Sequence, residues 1–409
     1  MRLALVHDWL VAAGGGEHVL SEALKVFPGA PVHALIDKMS DADHERLGIP
    51  RAHTSWMQSM PGIERNYRSW LAMMPSAMRS IDLGDATSVL AISHAVAKMP
   101  RVRPQQRLLC LSLSPMRYAW DLREQYLTES GLDRGVKGAM ARSLLAYMQG
   151  VDRETSARVD AFASISRYIA DRVKRAYGRD SEVIYPPVDT EFFTPAAAGP
   201  LATPGPFATT GPFAATGPFA TTEPSAVAGA SMASAADGYY VTASRFVPYK
   251  RVDLIARAFA ADRSRRLVIV GDGPDADKVR AAAAGAPNVT FTGHANRDDL
   301  RGWLRGARAF VFAAEEDFGI APIEAQACGT PVIAFGKGGA LETIVPHGSA
   351  GASGLFFAEQ TVESLLGAIE TFESAGASIT AAACRASAER FAASRFRSAL
   401  RSWVEANGR

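Results

Sequence analysis

The chain has 409 residues, 48% of them hydrophobic and 21% charged, with a net charge of +2. That length accommodates two or three domains with cores of their own, and so small a net charge gives no basis for a nucleic-acid partner. The three cysteines, Cys110, Cys328 and Cys384, stand far apart without C-x-x-C spacing. This argues against a zinc site or a disulfide framework and fits a reducing compartment.

At the N-terminus, MRLALVHDWLVAAGGGE is apolar, but His7 and Asp8 interrupt it and Arg2 is its only cation. It therefore reads as a buried strand and not as a secretion signal. No apolar run reaches the ~18 residues of a membrane span, so a cytoplasmic protein is expected. Gly14, Gly15 and Gly16 lead into a helical pattern from Glu17 to Val26. Further strands are expected at 88–93, 107–114, 161–166 and 181–189, with helical stretches between them. Such alternation implies a parallel sheet covered on both faces.

Composition then changes. Three copies of a GPFATT-like hexapeptide occupy 205–222 inside an Ala/Thr/Pro/Gly-rich stretch. Proline breaks helix and ladder alike, and three phenylalanines make no core, so 195–237 is expected to be a disordered linker. The strand–helix rhythm restarts at YYVTASRF (239–246) and runs through RRLVIVGDGPD, NVTFTG, ARAFVFAA, TPVIAF and SGLFFA. A last amphipathic helix, from about 384 to 406, is expected to pack back towards the first half. The expected architecture is two doubly wound α/β domains, 1–190 and 238–383, with a C-terminal segment 384–409. A cleft between the carboxyl ends of their strands would hold a ligand.

The densest chemistry lies in EEDFGIAPIEAQACGTPVIAF (315–335). Pro322 suits the first turn of a short helix over 322–328, which places Glu316 in the preceding loop and Glu324 in the first turn. A carboxylate in a cleft can accept two hydrogen bonds from a vicinal diol, and Phe318-Gly319 lets backbone amides approach a ligand. Arg245 and Lys250, in SRFVPYKR, follow the first strand of the second half, where a diphosphate could find cationic partners. The glycine turn at 14–16 opens a helix, and helix N-termini favour phosphate oxygens. GDGPDA (271–276) fits a dinucleotide fingerprint, but Asp272, Asp275 and Asp277 would repel a pyrophosphate there. It reads as a capped turn, and the DAD triplets at 41–43 and 275–277 read as helix starts.

As a set, SRFVPYKR, VGDGPD and the E-x7-E of EDFGIAPIE resemble the retaining glycosyltransferases of family 4, which have the GT-B fold. HDWL followed by GGGEHVL, ISHAVAK and SPMRYAWD is similar to bacterial polysaccharide mannosyltransferases that use GDP-mannose, such as the WbaZ-like group. The resemblance spans nearly the whole chain outside 195–237. It implies that 1–190 is the acceptor side and 238–383 the nucleotide-sugar side. Arg245 and Lys250 would hold the donor diphosphate, and Glu324 the ribose hydroxyls. Glu316, with the amides of Phe318, Gly319 and Ile320, would hold the donor sugar. Gly15 and Gly16 would let backbone meet the diphosphate, and His94 would lie near donor sugar and acceptor. His94, Glu316, Arg245 and Lys250 are thus the expected catalytic set, with no metal or other cofactor. Arg117, Tyr118 and Asp121 are acceptor-side candidates. Relatives often carry His-Thr-Pro where this chain has Leu113-Ser114-Pro115.

The resemblance implies transfer of a hexose, mannose from GDP-mannose first, to a polyprenyl-diphosphate-linked oligosaccharide in exopolysaccharide or O-antigen synthesis. A UDP-sugar donor, or a nucleotide-sugar-binding protein without transfer, is the alternative. Between 51 and 107, eight Lys/Arg and three acids interleave with Trp56, Met57, Met60, Tyr67, Trp70, Leu71, Met73 and Met74. Cations beside Trp and Met suit an anionic bilayer interface, so peripheral contact with the inner face of the cytoplasmic membrane is expected there.

Overall fold

The computed structural model describes residues 2–408 apart from 122, 130, 133, 197–237 and 376–377. The GPFATT repeats, with the linker expected there, lie outside the described residues. Seven parallel strands form the first sheet: β1 (Leu3–His7), β2 (Val32–Ala34), β3 (His53–Thr54), β4 (Ser88–Ser93), β5 (Arg107–Ser112), β6 (Ala161–Ser164) and β7 (Glu182–Val183). Their spatial order is β3-β2-β1-β4-β5-β6-β7. Six more form the second: β8 (Tyr239–Ala243), β9 (Arg266–Val270), β10 (Val289–Gly293), β11 (Ala307–Phe312), β12 (Val332–Phe335) and β13 (Gly354–Phe357). They run β10-β9-β8-β11-β12-β13.

Both sheets are doubly wound. In each, the chain leaves the centre towards one edge and returns to start the other half beside its first strand, between β1 and β4 or between β8 and β11. Loops leave those neighbours in opposite directions, which opens a crevice at the carboxyl ends. The apolar runs form strands because helices cover both faces: every residue of β1 and of β4 is buried.

Several elements end earlier than the sequence suggests. Of the strand expected over 181–189, only Glu182 and Val183 join the sheet, since Pro186 and Pro187 follow and proline cannot donate to a ladder; Val188 instead bridges to Ala392. Its remainder crosses between the sheets. The helix expected from 384 to 406 is two helices, Ala381–Glu389 and Ala393–Asn407. The break lets the Phe391 ring meet Tyr185 at 5.1 Å and Phe318 at 5.3 Å. The second of these helices lies against the first domain: Arg397 pairs with Glu22 at 2.5 Å and Arg401 donates to the Val26 carbonyl.

The basic segment 51–107 divides. Met57, Tyr67 and Met74 are core, whereas Trp56, Trp70 and Met73 are exposed. Lys98 is not on its surface at all. It is buried in an ion pair with Asp152 at 2.5 Å, because a lone ammonium inside a protein needs a counter-charge. Arg51 and Arg107 pair with Asp41 and Asp160, while Arg65 and Arg68 stay exposed beside Trp70.

Candidate functional site

Two loops at the β8/β11 crevice build the wall of the second domain. The loop after β8 carries Arg245 and then a short 3-10 turn, Pro248–Lys250. It is held by backbone: Phe246 N–H donates to Asp272 O at 2.9 Å, and Asp275 N–H to Phe246 O at 3.1 Å. A Cβ on Gly273 would sit 2.4 Å from Phe246 O, so the GDG glycines serve this close approach. Arg245 is exposed and forms no ion pair with the described residues.

The loop after β11 carries Glu315, Glu316 and Asp317 into helix Ile320–Ala327. That helix starts two residues before the expected 322, with Gly319 as its N-cap at φ 85°, a left-handed conformation suited to glycine. Glu324 consequently lies in the second turn, not the first. A second glycine pair, Gly338-Gly339, cradles this loop: Gly339 N–H donates to Glu316 O at 2.8 Å, and a Cβ on Gly338 would lie 2.4 Å from that same oxygen. A Cβ on Gly339 would lie 2.4 Å from Phe318 Cα.

These loops bring Lys250 and Glu316 into direct contact as an ion pair, with side chains 18% and 13% exposed. Burial, then the Arg117 guanidinium, pull the Lys250 ammonium down to about 8, with Asp317 opposing. The touching Glu316 carboxylate favours the charged ammonium as well. The Phe318 ring turns away from the cleft, stacked on Tyr185 at 5.9 Å, so only its backbone can serve a ligand.

Glu324 stands apart from this pair. Burial pushes its carboxyl up to about 7, with Arg297 opposing and Asp189 assisting. Arg297 pairs with Asp189 at 2.5 Å and lies over the Phe192 ring at 4.3 Å, so Glu324 is close to the crossing between domains.

The first domain faces this wall with the N-terminus of helix Gly15–Val26. A Cβ on Gly15 would lie 3.4 Å from Ile320 Cδ1, and one on Gly16 3.2 Å from His7 Nε2. Two helix N-termini therefore meet across the cleft, each with backbone N–H groups that lack intrahelical partners. His94 follows β4 and is half-buried, with Nδ1 2.8 Å from Asp8 Oδ2. Asp8 was not singled out in the sequence, although a charged residue directly after five buried strand positions is a signal.

Of the acceptor-side candidates, Arg117 and Asp121 join an inter-domain network. Arg117 Nε donates to Asp317 Oδ2 at 3.0 Å and its guanidinium lies over the Tyr249 ring at 5.4 Å. Arg172 binds both Asp121 and Asp317, the latter at 2.9 Å. Tyr118 is half-buried nearby. Glu342, from the second domain, accepts from Arg167 N–H and Tyr168 N–H at 2.8 Å each, at the start of helix Arg167–Tyr177 of the first. Ser166 Oγ donates to Asp317 O at 2.6 Å. Neither Asp317 nor Glu342 was foreseen, since their partners lie more than a hundred residues away.

Among the described residues no cluster of His, Cys, Asp and Glu could hold a metal ion, and no helix is long and apolar enough to cross a membrane.

Residues 233–391 match the family model described as Glycosyl transferases group 1. A GDP-mannose-dependent monoacylated alpha-(1-6)-phosphatidylinositol monomannoside mannosyltransferase of Corynebacterium glutamicum is 32% identical over 211 residues, 47% of this chain and 49% of that protein. A D-inositol 3-phosphate glycosyltransferase of Jonesia denitrificans is 39% identical over 27% of this chain and 30% of its own. The chain spans about half the length, or less, of the curated relatives it matches. Among solved structures, Anabaena Alr3699/HepE in complex with UDP superposes with a TM-score of 0.66 at 18% identity, covering 99% of this chain and 100% of that one. A sucrose-phosphate synthase from Thermosynechococcus elongatus gives 0.69 at 18%, covering 99% and 98%. The fold is thus the two-domain arrangement of GT-B glycosyltransferases.

Proposed function

We propose, from a chain whose residues 233–391 are a glycosyltransferase group 1 domain, that this protein is a retaining glycosyltransferase. It transfers a hexose, mannose from GDP-mannose first, to a polyprenyl-diphosphate-linked oligosaccharide in WbaZ-like exopolysaccharide or O-antigen assembly. The observation that carries this reading is the meeting of Gly15 and Ile320 across the cleft, beside the Lys250–Glu316 pair. That arrangement suits a diphosphate on one side and sugar hydroxyls on the other. Similarity to relatives named as GDP-mannose-dependent mannosyltransferases supports the choice of donor.

In this mechanism Lys250 exchanges Glu316 for the donor diphosphate, and the exposed Arg245 closes on the same phosphates. Glu316 then accepts from the hexose hydroxyls, and Glu324 from the ribose. As the glycosidic C–O bond to phosphate breaks, negative charge gathers on the departing diphosphate, where Arg245, Lys250 and the helix N-termini stabilise it. The acceptor hydroxyl attacks from the same face and passes its proton to a phosphate oxygen, so configuration is retained without a protein nucleophile or a metal. Exposed Trp56, Trp70 and Met73 beside Arg65 and Arg68 suit docking on an anionic leaflet, which brings a lipid-linked acceptor within reach. Flotation with anionic liposomes is expected to weaken when Arg65, Arg68 and Trp70 are replaced together. Unchanged flotation contradicts the docking surface.

Thermal-shift measurements with GDP-mannose, UDP-glucose and UDP-GlcNAc, followed by donor turnover, test the function. GDP-mannose is expected to stabilise most and to be slowly hydrolysed without acceptor. A larger shift and turnover with a UDP-sugar would reassign the donor, and binding without turnover of any donor would favour a binding protein.

A further inference from the structure

Because β1 and β4 are neighbours, residues 86 apart in sequence meet at their carboxyl ends. Asp8, which follows β1, is fully buried. Its Oδ2 lies 2.8 Å from His94 Nδ1 and accepts the His94 backbone N–H at 2.6 Å. The amides of Ala95, Val96 and Ala97 donate to the same carboxylate, that of Ala97 at 2.6 Å. One side chain thus fixes both the turn that carries His94 and the ring itself. Trp9 adds an edge-to-face contact with the ring at 4.7 Å between centroids. The imidazole remains 35% exposed, and no described residue hydrogen-bonds Nε2.

We propose that Asp8 is a positioning residue for sugar transfer: it occupies His94 Nδ1 and leaves Nε2 as the ring nitrogen that meets the donor. The identity of that donor rests on the function proposed above; the Asp8–His94 pairing does not. The groups facing the ring are Asp8 and His7 from the end of β1, Glu17 from helix Gly15–Val26, and Arg117 from beyond β5. Burial works against an imidazolium, Asp8 and Glu17 favour it, and Arg117 opposes it; the balance lies above the ordinary histidine value. In the imidazolium both ring nitrogens carry protons, so Nε2–H can donate to a hexose hydroxyl or to a phosphate oxygen. No proton changes hands: the hydrogen bond strengthens as charge develops on the leaving diphosphate.

The test is NMR of histidine-labelled full-length protein, with His94 assigned by its loss in His94→Gln. In the wild type, the midpoint is expected above the ordinary histidine value, with the neutral ring protonated on Nδ1. Asp8→Asn is expected to lower that midpoint, as the carboxylate that opposes burial is removed. It is also expected to lower kcat about 10–100-fold, the size of a lost hydrogen bond to a charged group, with a smaller change in donor KM. In a His94→Gln background the kcat loss from Asp8→Asn is expected to shrink to what the amides of the turn alone contribute. A neutral ring protonated on Nε2, or an undiminished loss in the His94→Gln background, overturns the proposal. Should Asp8→Asn fail to fold, the wild-type tautomer decides alone. Should transfer prove absent, tautomer and midpoint still test the pairing separately from the function.

Discussion

Each half of the molecule holds a lysine–carboxylate pair, and the two pairs are built differently. In the first domain Lys98 and Asp152 are almost completely buried, with side chains 3% and 0% exposed. Asp152 Oδ2 also accepts from Trp120 Nε1 and Tyr177 OH, each at 2.8 Å, and Lys98 donates to Ala95 O. In the second domain Lys250 and Glu316 lie at the cleft, part-exposed. A lysine has three donors and a carboxylate about four acceptor sites, so this second pair keeps capacity that the first has used. The first pair anchors the turn of His94 to helix Gly135–Ser156; the second is available to be exchanged for a ligand.

The sharpest way to break this distinction is to remove each lysine. Lys98→Met leaves Asp152 as a buried charge without its cation and is expected to cost about 3–5 kcal/mol of folding stability, read from urea denaturation. A cost below about 1 kcal/mol, the range of surface pairs, would show that the first pair is not structural. Lys250→Ala is expected to cost less urea stability than Lys98→Met, since this pair is part-exposed, but to cost about 2–4 kcal/mol of transition-state stabilisation, read as kcat/KM for the donor. Normal turnover in that variant would remove Lys250 from the chemistry.

A smaller effect separates the two glutamates of the E-x7-E stretch. Glu324 has a folded pKa raised from 4.5 to about 7 by burial. The folded state therefore holds a proton that the unfolded chain has lost, so this group's stabilising contribution is complete below pH 4.5 and declines as pH rises to about 7. Glu324→Gln is expected to be more stable than the wild type at pH 8 by up to about 3 kcal/mol, and equal to it at pH 4. It should also lose the rise in donor nucleotide affinity that ionisation gives the wild type around pH 7. Calorimetric binding at pH 6 and 8 checks this, and parallel pH dependence in both proteins would contradict it.

The two halves also differ in what their sequences disclose. Lys250 and Glu316 lie on two short stretches, each just after a strand, and that local position is enough to bring them together at the crevice, whereas Glu324, on the same stretch as Glu316, stands apart near Arg297 and Asp189. Asp8 and His94 meet only because the chain returns to β4 beside β1, which local spacing does not encode. Gly338 and Gly339 likewise acquire meaning only against the backbone of Glu316 and Phe318. Most strands were legible as apolar runs because parallel sheets are buried on both faces, but their ends were not. The break after Glu389 was hidden because amphipathic periodicity runs through it, and the reason for it, Phe391 entering the aromatic cluster of Tyr185 and Phe318, is a long-range contact.

A crystal structure of the full chain with GDP-mannose tests the central claim most directly. The account predicts the diphosphate within hydrogen-bond reach of both Arg245 and Lys250, Glu316 released from Lys250 onto the hexose, and His94 Nε2 beside the sugar. A donor bound elsewhere, with the Lys250–Glu316 pair intact, would contradict it.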